Sequence, residues 1–97
     1  MLIYVKGLIG KLFKILPLRE NEEKSLNEYL DSLWMEMSGA YMTFPILQES
    51  SEYVSALNIV GYLTTHSVSP KQCKREVFKA IGLVEKLSIQ AGGDADD

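Results

Sequence analysis

The chain has 97 residues, 46% of them hydrophobic and 24% charged, with ten Lys and Arg against thirteen Asp and Glu for a net charge of −3. That length holds one domain and one core, and the apolar content is too high for intrinsic disorder. One Cys and one His can form neither an internal disulfide nor a four-ligand structural zinc site, and a mildly negative total argues against a general nucleic-acid glue.

The first segment, residues 3–16, carries Lys6, Lys11 and Lys14 and no acid. Placed at 100° per residue, these lysines share one arc with Gly7 and Gly10, and every other position is apolar. A basic polar face under a wide apolar face suits an amphipathic helix lying on a membrane surface, with Lys6, Lys11 and Lys14 as its membrane or docking face. The same pattern suits the first helix of a bundle with its apolar side on the core, and this is the preferred expectation. The segment is too short and too often interrupted by lysine to span a bilayer, and it lacks the small-residue cleavage site of a secretory signal. A short strand over Leu2–Val5 is the alternative to a helical start.

Pro17 is expected to end that segment, and Asn21 to cap the second, over residues 21–43, with Glu22 and Glu23 at its positive end. Leu26, Tyr29, Leu30, Leu33, Met37, Ala40, Tyr41 and Phe44 share an arc with Trp34 at its border. Glu28, Asp31 and Glu36 lie opposite, and the stretch 19–36 is net acidic. Met35 and Met42 fall on the polar side, where soft side chains make either an adaptable contact surface or a cover for neighbouring chain. Pro45 stops this helix. The third segment, residues 50–64, opens at Ser50 or Ser51, and its apolar residues occupy two sides. That marks it as the central helix of a bundle.

The fourth segment, residues 70–89, has Ser69 as N-cap and Pro70 at the first helical position. Cys73, Val77, Ala80, Ile81, Val84 and Leu87 form its core face. Lys71, Lys74, Arg75 and Lys79 lie opposite with Phe78 among them, and these five are the candidate contact residues for a protein partner or a nucleic acid. The alternative is a solvated basic face whose Phe78 packs on the first or second segment. An electrostatic match between this helix and the acidic second one is also expected, although exposed pairs contribute only about 0–1 kcal/mol each. The junction 63–77 has a helix-turn-helix outline: a short turn, Val68 tucking into the core, a capping Ser69 and a basic second helix. Ser67 stands where a turn glycine is common, and Glu76 where a third core contact would fall. The stretch 91–97 is small and acidic and reads as a flexible tail.

No catalytic signature occurs. Cys73 falls on an apolar face, His66 at a helix end, and no phosphate loop, metal-binding spacing or nucleophile motif is present. The expectation is an all-α bundle of three to four helices spanning residues 1–90, non-enzymatic, with no cofactor and no metal. It is expected to be cytoplasmic and to act through a protein partner or as a homodimer. Nucleic acid is the second reading and a membrane surface the third. The layout is similar to that of the small antiparallel four-helix immunity proteins that protect bacteria from their own peptide toxins. This resemblance of size and layout carries no residue roles. Motif-free helical proteins of this size are common in phages and mobile elements, which sets the expected origin.

Overall fold

Four apolar stripes at helical spacing must be buried against one another, and the chain does this with four long helices and two short ones. The computed structural model describes residues 2–21 and 24–95, with side chains described for 3–21 and 24–90. The elements are α1 (Leu2–Phe13), α2 (Ile15–Glu20), α3 (Leu26–Thr43), α4 (Pro45–Gln48), α5 (Ser51–Thr65) and α6 (Pro70–Ala95), with no strand among the described residues. Residues 2–5 belong to α1, so the short strand does not form.

Proline and serine set most of the boundaries. The Pro17 ring clashes with the carbonyl four residues back, and the chain accordingly breaks at Lys14, between α1 and α2. Pro17 therefore does not end the first segment. It sits in the first turn of α2, where its missing N–H would have had no partner. Asn21 likewise does not start the second helix: it closes α2, its N–H donating to Pro17 O, and α3 begins only at Leu26. Phe44 is extended (φ −112°, ψ 107°), as a residue before proline prefers, and Pro45 opens the single turn of α4. Ser50 and Ser69 cap α5 and α6, their Oγ atoms accepting from Tyr53 N and Gln72 N at 3.1 Å. Helix α6 continues through Gly92 and Gly93 to Ala95, past the expected end near residue 89. Glycine lowers helix stability by about 1 kcal/mol but removes no backbone hydrogen bond. The last two residues of the expected tail, 96 and 97, lie outside the described residues.

Helix α6 makes the most extensive contacts, with α5 on one side and α1 and α2 on the other, while α5 packs on α3 and α6. The centre is thus shared between α5 and α6 rather than held by α5 alone. Helices α3 and α6 lie across the bundle from each other, and α1 and α3 face each other over a groove. The bundle measures 41 × 21 × 18 Å. Its core is one cluster that includes Val5, Leu8, Leu12 and Ile15 of the first segment, Leu30 and Met37 of α3, Tyr53 and Val60 of α5, and Val77 and Val84 of α6. Each of these side chains contributes about 1.5–3 kcal/mol by leaving water. Tyr53 is wholly buried, its hydroxyl satisfied by donating to Met37 O at 2.6 Å and lying 3.3 Å from the Tyr4 hydroxyl.

Candidate functional site

The outer face of α6 is where the sequence placed its candidate contacts. Because Cys73, Val77, Ala80, Val84 and Leu87 are drawn into the core, the opposite side of the helix is driven outward. Lys71, Lys74, Arg75, Phe78 and Lys79 are all exposed there. Among the described residues, none of these four cations has a carboxylate within 4 Å. Phe78 is 44% exposed and meets Phe13 of α1 edge to face, ring centres 6.1 Å apart and planes at 81°. Phe13 is 43% exposed as well. The two rings form an ordered apolar island at the border of a cationic stripe. Phe78 thus does pack on the first segment, yet half of it stays open to solvent.

The lysines of the first segment take different places. Lys11 reaches α3, its Nζ donating to both Glu36 oxygens at 2.7 and 2.8 Å, and this hydrogen bond holds its pKa above the usual lysine value. Lys14 stands 5.9 Å over the Tyr29 ring, and Lys6 is exposed without an ion pair among the described residues. Leu8, Leu12 and Ile15 are buried at 1% exposure or less. The apolar face that a membrane-surface role needs is therefore spent inside the bundle. No helix of the described residues is long and apolar enough to cross a membrane.

The expected match between the acidic and basic helices is not made among the described residues. The ion pairs among the described residues join α1 to α3 through Lys11 and Glu36, and α5 to α6 through Glu52 and Lys86 at 3.8 Å. The 63–77 junction joins α5 to α6. Gln72 Nε2 donates to the Tyr62 hydroxyl at 3.4 Å near the turn, while Glu52 and Lys86 pair at the far end. Helices α5 and α6 thus meet both near their connecting turn and towards the opposite end of α5. Val68 does pack against the core.

His66 is exposed and stacked on Tyr62, ring centres 4.2 Å apart, with Nδ1 2.9 Å from Thr65 Oγ1. Cys73 is 2% exposed, and burial pushes its thiol pKa up despite the lowering effect of Arg19. Arg19 itself donates to the Val68 carbonyl, locking α2 onto the α5–α6 turn. It also borders a cavity of about 290 Å³ floored by Leu26, Leu30 and Leu63. That cavity joins residues from α2, α3, α5 and the turn, so no sequence spacing could have announced it.

One further surface went beyond what the sequence foresaw. Between α1 and α3 lies a groove of about 390 Å³ over Gly7, Gly10 and Leu33, bridged by the Lys11–Glu36 pair. On the outer face of α3, Met35 and Met42 are 69% and 78% exposed. That exposure is what an adaptable contact surface requires. Helical spacing had already put both on the polar side. No family model matches the chain, and neither a curated protein nor a solved structure is detectably similar to it.

Proposed function

We propose that the protein is a non-enzymatic interaction module that binds an acidic protein surface through the outer face of α6. The observation that carries this reading is the cluster of exposed cations, Lys71, Lys74, Arg75 and Lys79, beside the half-exposed Phe78–Phe13 pair. The aromatic pair supplies the apolar anchor that contact surfaces concentrate their binding energy in, and its edge-to-face packing lowers the ordering cost of binding. The cations steer an acidic partner and fix its register. A cytoplasmic setting suits a chain with one free, buried cysteine, and the phage or mobile-element origin stays part of the proposal on size and composition alone.

Nucleic acid is the second reading, favoured by the same cations, since duplex DNA also seeks unpaired lysine and arginine. One titration separates the two. A labelled polyglutamate peptide and a labelled DNA duplex are each titrated with the protein at about 50 and 200 mM salt. The acidic-partner reading expects peptide binding that drops at least tenfold in Lys74→Glu/Arg75→Glu and falls again in Phe78→Ala. Duplex binding tighter than peptide binding, with the salt slope reduced by about one unit in Lys74→Ala, would overturn it in favour of DNA.

A further inference from the structure

We infer that the acidic surface recognised by α6 is the outer face of α3 on a second copy of this chain, the two helices lying parallel. This rests on the reading of α6 as the contact face and names its partner. The outer face of α3 holds exposed Glu28, Asp31, Met35 and Met42, and no cation occurs between Leu26 and Thr43. Because α3 and α6 lie across the bundle from each other, the acidic and basic faces look in opposite directions, and neither can neutralise the other within one molecule. Each face has one dominant sign, so α3 against α3 or α6 against α6 would set like charges together. Only α3 against α6 of another copy brings opposite charges into contact.

The spacing of the two faces supports the same pairing. Glu28, Asp31, Met35 and Gly39 stand at intervals of three, four and four residues along α3, and Lys71, Lys74, Phe78 and Gly82 repeat those intervals along α6. In parallel register Glu28 meets Lys71, Asp31 meets Lys74, Met35 meets Phe78 and Gly39 meets Gly82. Sulfur against an aromatic ring is a favourable contact. Both glycines are exposed with nothing within 4 Å of where a Cβ would stand, so the backbones can approach closely at that end. Such a contact uses different surfaces on the two copies, does not close on itself, and builds an open row of molecules. One helix against one helix is a small interface, so the association is weak and salt-sensitive.

The test uses the full chain in sedimentation velocity at protein concentrations up to about 1 mM, the range in which weak contacts populate, in low and in high salt. The wild type is expected to grow past a dimer with concentration at low salt and to shrink back at high salt. Two variants disable one face each: Lys71→Gln/Lys74→Gln/Phe78→Ala and Glu28→Gln/Asp31→Asn/Met35→Ala. All substituted side chains are exposed, and circular dichroism confirms that both variants keep the wild-type helix content. Each alone is expected to lose association at least tenfold, and an equimolar mixture to form a 1:1 pair that grows no further, because one intact interface remains. A wild type that stays monomeric overturns the inference while leaving the α6 reading to the polyglutamate titration, which needs no second copy. Variants that associate as strongly as the wild type overturn the α3–α6 pairing, and the α6 reading itself falls only if the polyglutamate titration shows no binding.

Discussion

Cys73 shows how much a single position can settle. The arc shared with Val77, Ala80 and Val84 already put the thiol on an apolar face, and in the bundle it is 2% exposed with its ionisation suppressed by burial. A thiol reacts through its thiolate and needs access, and this one has neither. Ellman's reagent at pH 8 is therefore expected to leave the folded protein unlabelled for minutes and to label it at once in denaturant. Rapid labelling of the folded chain would show that the α2–α6 seam opens. His66, seven residues away, is turned outward onto Tyr62, so the two form no dyad. Tyr53 was less legible. Its place on the apolar face could be read from the helical wheel, but the hydrogen bond to Met37 O that makes its burial tolerable lies between elements far apart in sequence.

At the scale of the element, the glycines separate local propensity from tertiary packing. A methyl group on Gly61 of α5 would lie 2.9 Å from Trp34 Nε1 and 3.3 Å from Cδ1, whereas one on Gly82 of α6 would meet nothing within 4 Å. Both substitutions gain helix propensity of about 1 kcal/mol, but overpacking at Gly61 costs about 1–3 kcal/mol. Gly82→Ala is accordingly expected to stabilise the dilute monomer by about 0.5–1 kcal/mol, and Gly61→Ala to lower stability while shifting the Trp34 emission to the red as the indole is pushed out. Urea melts followed by tryptophan fluorescence check both, and a stabilised Gly61→Ala would show that the indole moves aside freely. The same contest explains which boundaries could be read. Ser69 with Pro70 is a purely local signal, and α6 starts there. Asn21 is an equally good local cap, yet α3 starts at Leu26, which among the described residues is the first of the 21–43 segment to join the core. The break at Lys14 was hidden for another reason: the clash that Pro17 causes acts four residues upstream of the proline.

The whole molecule combines one core with charges sorted to opposite sides. The segment charges and the apolar stripes, and with them an all-α bundle, could be read from the sequence. It could not show that the acidic and basic helices would sit across from each other, because that depends on which stripes pack together. The core also sets the response to pH. Burial is the leading cause that raises the pKa of Cys73, Tyr4, Tyr29 and Tyr53, and the Glu36 hydrogen bond raises that of Lys11. Each of these groups holds its proton more tightly when folded than when unfolded. Above the unfolded pKa of a group the unfolded chain binds fewer protons than the folded one, so stability is full below that pH and falls as pH rises. The first loss comes near the ordinary thiol value of about 8.5 and the next near the tyrosine and lysine values of about 10. Urea midpoints are expected to hold between pH 7 and 8 and to fall increasingly from pH 9 to 11, each buried group adding up to about 1.4 kcal/mol per pH unit and the solvent-screened Lys11 pair much less. A midpoint unchanged to pH 11 would contradict this. Tyr53→Phe assigns the steepest part: it lowers stability at neutral pH by about 1 kcal/mol through the lost hydrogen bond, yet it removes one titrating proton, so its decline above pH 10 must be shallower than that of the wild type.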